Sequence, residues 1–264
     1  MTHDGSGAGC SAPFPSGNGR EQKMSMRGIN TIPALVLAAF IGGGLATATF
    51  ADAGPAAAAE KAADAKKKRD PGKRIFMRKT CIACHGRDGK KAIMDYPNLA
   101  GQDVKYMISQ MEDIIAGKRV GSVDETGNPR SEGMRGALVT ADGEVRITDE
   151  EIKQVSTWLS EMEPAPVQPL DPPITEERMT AGAAAYKKGR CRTCHGPDGK
   201  KPLKGYPYIA GQKRTYIIAQ MTDTREKIRT NGRSKLMYPF VRKMEDDEIA
   251  LIADYLSQID RTAD

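Results

Sequence analysis

The sequence predicts an all-α protein built from two tandem copies of one small module. Three observations carry this. A set of residues repeats without gaps at an offset of 110, apolar residues recur at helical spacing with no strand-like alternation, and a proline-rich segment separates the copies. At 264 residues the chain has room for one large domain or two small ones. Its composition, 39% hydrophobic but only 5% aromatic, is a thin supply for a single large core.

The repeat is anchored on Cys81-Ile82-Ala83-Cys84-His85 and Cys191-Arg192-Thr193-Cys194-His195. Each is C-x-x-C-H, the pattern that attaches a c-type haem. Two thiols three positions apart reach the two vinyl groups of one porphyrin, and the adjacent histidine lies under the iron as an axial ligand. The chain has five Cys and three His, and the motifs use all of them except Cys10 and His3 in the N-terminal tail. A zinc ribbon needs four ligands per metal, a thioredoxin-like site needs a βαβ context, and disulfides would leave the histidines unexplained. The expectation is two covalent haems, each the centre of a module too small to be stable without it.

From the N-terminus, residues 1–53 read as an extension and export signal. Met24 to Gly28 supplies a short positive region, Ile32 to Ile41 is almost wholly apolar, and Ala51-Asp52-Ala53 offers an A-x-A cleavage site. Either Met24 or Met26 could be the true start. The apolar run is also about long enough to be an uncleaved anchor, which would associate the protein with a membrane. Both readings put the modules outside the cytoplasm, in the periplasm. Residues 54–71, rich in Ala and Lys and containing Lys66-Lys67-Lys68-Arg69, form a flexible basic leader without the interleaved aromatics of a nucleic-acid site.

The first module covers 72–163, a proline-rich linker 164–173, and the second module 174–264. Five prolines between Pro164 and Pro173 predict a stiff, extended connection. Within each module three helices are expected. The first carries Gly72 and Phe76, matched by Gly182 and Tyr186, the glycine suiting a close helix crossing. The middle one, about 103–116, has Tyr106, Ile108, Met111, Ile114 and Ile115 broadly on one face. The last opens on the capping box Thr148–Glu151 before Ile152, Val155, Trp158 and Leu159. Its twin, with Ile249, Ile252, Tyr255 and Leu256, lies at an offset of 97, so the first module has extra loop ahead of its last helix.

With no His or Cys to spare in the modules, methionine is the leading sixth ligand. In the second module the choice lies between Met237, in an irregular loop, and Met244, aligned with the core position Ile147; Met237 is preferred. In the first module Met134 is the only Met in the corresponding loop. Met111 and Met221 match one another and read as packing against haem. His/Met ligation closes both faces of the iron, which suits one-electron transfer and opposes catalysis at the metal.

The paired C-x-x-C-H-G motifs, the segment Tyr96-Pro97-Asn98-Leu99-Ala100-Gly101-Gln102 with its twin, and the Tyr and Gln that follow in each middle helix make the chain resemble the dihaem cytochromes c4. The resemblance runs from about Gly72 to the C-terminus. It implies two tandem class I cytochrome c domains, each a few helices around one covalent haem, ligated by His85/Met134 and His195/Met237. The Val139–Arg146 loop after Met134 is longer than that family leads one to expect.

Function follows as a periplasmic electron carrier between a quinol-oxidising complex or dehydrogenase and a terminal oxidase. The alternatives are the cytochrome subunit of a dehydrogenase, such as flavocytochrome sulfide dehydrogenase, and a dihaem peroxidase or thiosulfate dehydrogenase. Residues 72–163 hold 14 Lys and Arg against 15 Asp and Glu, a net of −1; residues 174–264 hold 18 against 12, a net of +6. The second module is therefore the one expected to face an acidic redox partner. Lys90-Lys91 and Lys200-Lys201 are candidate docking residues or plain surface, Asp88 and Asp198 stabilise turns, and Tyr96 and Tyr206 line the haem pockets.

Overall fold

The computed structural model describes residues 70–124, 127 and 130–263. The expected extension and signal, and the basic leader up to residue 69, lie outside these. In the first module the helices are α1 (Pro71–Arg78), α2 (Ile82–His85), α3 (Val104–Ile115), α4 (Arg130–Leu138) and α5 (Asp149–Ser160). The second has α6 (Glu176–Lys188), α7 (Arg192–His195), α8 (Arg214–Arg225), α9 (Tyr238–Val241) and α10 (Asp246–Ser257), with 3₁₀ turns at Pro197–Gly199 and Ser234–Leu236. Among the described residues β-pairing is confined to isolated bridges such as Val139–Val145.

Helix starts follow local chemistry. Asp70 Oδ1 accepts from Gly72 N at 2.7 Å, ahead of Pro71 in the first turn of α1. Asp103 does the same for α3, accepting from Tyr106 N at 2.7 Å, and the capping box Thr148–Glu151 forms at α5. At α8 the equivalent of Asp103 is Lys213, which provides no cap. Its ammonium instead crosses to the first module, donating to Ala92 O at 3.0 Å and to Ile93 O at 3.3 Å.

The first and last helices of each module cross at a glycine. A Cβ on Gly72 would lie 2.3 Å from Gln154 O and 2.5 Å from Trp158 Cβ; on Gly182 it would lie 2.3 Å from Leu251 O and 2.6 Å from Tyr255 Cβ. One turn on, Phe76 packs on Trp158 with ring centroids 5.3 Å apart, and Tyr186 on Tyr255 at 6.1 Å. The tyrosine pair needs acceptors for its hydroxyls. Tyr186 Oη donates to Gly196 O at 2.8 Å and Tyr255 Oη to Asp198 Oδ1 at 2.6 Å. Asp198 thus serves the last helix, whereas Asp88 stabilises its own turn by accepting from Lys90 N at 3.2 Å. In the second module Asp254, 0% exposed, also binds Arg178 of α6 and Arg214 of α8, tying three helices together.

The two modules differ where the offset changes. Part of the extra chain in the first module is the turn after α4, closed by Thr140 N to Glu144 O at 2.9 Å and Arg146 N to Leu138 O at 2.8 Å. The expected loop around Met134 is helix α4. The expected irregular loop around Met237 is also helical in backbone, Met237 joining the 3₁₀ turn to α9 with φ −77° and ψ −26°. In each case side-chain anchoring of the segment's start lets a short, weakly amphipathic stretch complete a helical turn.

The modules do not hang separately from the linker. Gln102 Nε2 donates to Tyr208 O at 2.9 Å and Gln102 Oε1 accepts from Tyr208 N at 2.8 Å. Gln212 Nε2 donates to Asn98 O at 2.9 Å and its Oε1 accepts from Asn98 N at 3.0 Å. Residues 98 and 208, like 102 and 212, are equivalent under the 110 offset, so the two copies meet through the same patch about a pseudo-two-fold.

Two outcomes follow for the haem-loaded protein. Gly182→Ala forces helix α6 off α10 and lowers stability by about 1–3 kcal/mol in urea denaturation. Gln212→Ala strips both side-chain bonds from Asn98, and hydrogen exchange at the Asn98 amide rises while that at Tyr208, held by Gln102, stays protected.

Candidate functional site

Helices α2 and α7 are single turns that open at Cys81 and Cys191 and end at His85 and His195. The residue before each, Thr80 or Arg190, has φ near +60°, which swings the chain out of the preceding helix. Gly86 and Gly196 end them at φ 75° and 76°, and a Cβ there would meet Lys91 O at 2.6 Å or Lys201 O at 2.2 Å. Among the described residues Cys81, Cys84, Cys191 and Cys194 form no disulfide, which leaves all four sulfurs available for thioethers. Burial pushes the Cys81 thiol up and the Cys191 thiol to about 11.

His85 and His195 are 7% and 6% exposed. His85 Nδ1 lies 3.0 Å from Pro97 O and His195 Nδ1 3.1 Å from Pro207 O. A carbonyl only accepts, so Nδ1 carries the proton and Nε2 is left with its lone pair. Burial lowers both imidazole pKa values, favouring this neutral form. A neutral imidazole oriented through its other nitrogen is the form in which histidine ligates a metal.

His85 and His195 line one cavity of about 500 Å³, shared by the two modules. Met134 and Met237 line the same cavity, as do Cys191, Cys194 and Tyr206. Met244 does not; it is 5% exposed in the second core. Cys81 packs on the first core, and the Tyr96 ring stands 6.4 Å from the His85 ring, as Tyr206 stands 6.3 Å from His195. Of the lysines considered for docking, Lys90 is held by Glu163 at 3.0 Å, while Lys91 and Lys201 are exposed.

The polar part of the wall lies on the pseudo-two-fold. Arg119 Nη2 crosses to Tyr216 Oη at 2.9 Å and Gln220 Oε1 at 3.2 Å. Arg229 Nη2 crosses the other way, to Tyr106 Oη at 3.2 Å and Gln110 Oε1 at 3.0 Å. Against burial, Arg229 and Arg119 hold the Tyr106 phenol below its ordinary range. Neither guanidinium has a carboxylate within ion-pair distance among the described residues, although Arg229 is only 7% exposed. The Asp113 carboxylate, which lines the same cavity, acts on Arg119 from farther off, and an anion nearer the two guanidiniums would add to that compensation. Haem c fits this wall: its faces are apolar, it accepts a nitrogen ligand, and its carboxylate arms would find the two guanidiniums as partners.

Sequence reasoning singled out Tyr106, Gln110, Tyr216 and Gln220 as repeated but missed Arg119 and Arg229. The signal was available, since 119 and 229 also differ by 110.

Two family models match the two copies: one described as cytochrome c over residues 70–163, and one described as cytochrome c oxidase, cbb3-type, subunit III, over 177–256. Cytochrome c4 of Azotobacter vinelandii is 33% identical over 185 residues, 67% of this chain and 82% of that protein. The thiosulfate dehydrogenase electron acceptor of Stutzerimonas stutzeri strain A1501 is 30% identical over 185 residues, 68% of this chain and 78% of that one. Reduced recombinant cytochrome c4 from Pseudomonas stutzeri superposes with a TM-score of 0.57 at 28% identity, covering 72% of this chain and 97% of that one. Two C-x-x-C-H turns, two oriented histidines and relatives matched across both copies lead to one conclusion: the chain belongs to the cytochrome c4 family and is a dihaem electron-transfer protein with one covalently attached haem c in each module.

Proposed function

We propose that this protein is a periplasmic one-electron carrier with both irons six-coordinate, His85 opposite Met134 and His195 opposite Met237. The thioethers would come from Cys81 and Cys84 in the first module and from Cys191 and Cys194 in the second. The observation that carries this is that a histidine and a methionine of each module line the one cavity. When bound, haem c supplies an iron that cycles between ferrous and ferric states by single electrons. The chain's own residues do the rest. Pro97 O and Pro207 O orient the imidazoles, the apolar wall excludes water, Tyr96 and Tyr206 flank the histidines, and Arg119 and Arg229 would meet the haem carboxylates. If His85 and Met134, and His195 and Met237, hold the two irons, no coordination site would be left for a substrate, which separates this reading from a peroxidase or thiosulfate dehydrogenase.

The donor is read as a quinol-oxidising complex or a dehydrogenase and the acceptor as a terminal oxidase. The basic second module would meet an acidic patch, since long-range fields speed encounter between opposite charges. Export is supported by the signal-like pattern of residues 32–53 and by covalent haem attachment, which takes place outside the cytoplasm. No helix among the described residues is long and apolar enough to cross a membrane. A second reading, service to one dehydrogenase as its dedicated acceptor, is favoured by the relative named as a thiosulfate dehydrogenase electron acceptor.

The test is the oxidised optical spectrum, where a weak sulfur-to-iron charge-transfer band near the red edge marks methionine on ferric haem. Titrated against total haem, the band accounts for two irons. Met134→Ala and Met237→Ala each remove roughly half of it and lower one reduction potential, as expected when a Met ligand that raises the potential is lost. A band for one iron only in the unmodified protein would turn the reading toward an enzyme with an open haem.

A further inference from the structure

A second motif recurs in the two copies, outside the haem segments. Arg130-Ser131-Glu132-Gly133-Met134 and Arg233-Ser234-Lys235-Leu236-Met237 share Arg-Ser-x-x-Met at an offset of 103. Separate insertions on either side produce that offset. Arg119 to Arg130 spans 11 positions and Arg229 to Arg233 only four; Met134 to Ile152 spans 18 and Met237 to Ile249 only 12. The flanking loops differ in length, yet the five-residue spacing is the same.

The motif also docks on corresponding stretches of the two copies, 94–97 and 204–207, though on different residues within them. In the first module Arg130 Nε donates to Asp95 Oδ2 at 2.5 Å, and its Nη1 donates to Ser122 Oγ at 3.0 Å and Val123 O at 2.5 Å. In the second, Arg233 Nη1 donates to Lys204 O at 3.1 Å and its guanidinium carbon sits 4.9 Å from the centroid of the Tyr206 ring. Positions 95–97 and 205–207 are equivalent under the 110 offset. The serines follow suit: Ser131 Oγ packs against Gly121, and Ser234 Oγ donates to Asn231 O at 2.6 Å, residues 121 and 231 again being equivalent.

Residues 95–97 therefore touch both sides of the first site. Pro97 O receives the His85 imidazole, and two residues earlier Asp95 receives the arginine that stands four positions before Met134. In the second module Pro207 O receives His195, and the adjacent Tyr206 ring carries the arginine four positions before Met237. We propose that Arg130 and Arg233 are positioning residues for the axial methionines, so that one three-residue bracket sets the histidine and methionine sides of each haem site together. This rests on the reading of Met134 and Met237 as ligands. The brackets differ in chemistry. The first is an ion pair whose side chains are 17% and 14% exposed. The second is a cation stacked on an aromatic ring, with a carbonyl contact beside it.

Cyanide binding to the ferric dihaem protein tests this, because cyanide competes for the iron face that the sulfur covers. Its apparent affinity rises in proportion to the time the sulfur is off. Arg130→Ala raises cyanide affinity at one haem by about tenfold, the loss expected on removing one charge-assisted hydrogen-bonded anchor, and leaves the other haem unchanged. Arg233→Ala does so at the other haem. Asp95→Asn reproduces the Arg130 effect at the first haem alone, and it carries the test should Arg130→Ala fail to take up haem. Met134→Ala assigns which haem is which. Gly72→Ala, which loosens the first core away from the bracket, serves as control and leaves cyanide affinity unchanged. Unchanged cyanide affinity in Arg130→Ala, Arg233→Ala and Asp95→Asn, with both sulfur–iron bands present in the parent, overturns the proposal. So does a rise in Gly72→Ala equal to that in Arg130→Ala. Absence of a band in the parent protein overturns the ligand reading instead, before any arginine is changed.

Discussion

The reciprocal pairing of Gln102 with Tyr208 and of Gln212 with Asn98 is the constraint on which the rest of the molecule depends. Each amide side chain satisfies one backbone donor and one acceptor of the opposite copy, and a buried backbone left without partners would be costly. Because the same residues recur in both copies, the patch is complementary to itself. A tandem duplication can then close on itself as a two-fold dimer would, with the proline segment only spanning the gap. This closure turns two haem clefts into one shared cavity and brings Arg119 and Arg229 across to the other module's middle helix.

Around that symmetric centre the modules diverge. The first uses Phe76 on Trp158 at its helix crossing, a pair with one polar atom to satisfy. The second uses Tyr186 on Tyr255, which recruits Gly196 O and Asp198 as acceptors. It also buries Asp254 between two arginines, where the first module has Thr157 in the equivalent place. Charge departs from the symmetry at the interface itself: Lys213, where the first copy has Asp103, donates to Ala92 O and Ile93 O, and Arg261 donates to Gly101 O.

Much of this was legible in the primary structure. Helix starts at Asp103 and Thr148 rest on contacts three residues apart, and the crossing glycines on a spacing that repeats; such local rules survive folding. The backbone around Met134 and Met237 was harder to read. Both segments lack a strong apolar period, and in both an arginine, Arg130 or Arg233, fastens the start to a loop some 30 residues earlier in the chain. Met237 and Met244 could be told apart in the sequence by the alignment of Met244 with the core position Ile147, and in the structure Met237 lines the cavity while Met244 lies in the second core.

By itself, the sequence determined the covalent chemistry and the number of haem sites. Thiols at i and i+3 with histidine at i+4 fall within a single helical turn, and no distant residue is needed to place them together. It also determined that there are two copies, because a gapless offset of 110 is a property of the chain alone. Tertiary structure alone decided what the repeated polar residues are for. Gln102, Tyr106, Gln110 and Arg119 are unremarkable along one helix and its flanks, and their bonds to the other copy form only when the second copy is rotated onto the first. Contacts between residues about 100 positions apart or more depend on how two folded surfaces meet, and no local spacing encodes that.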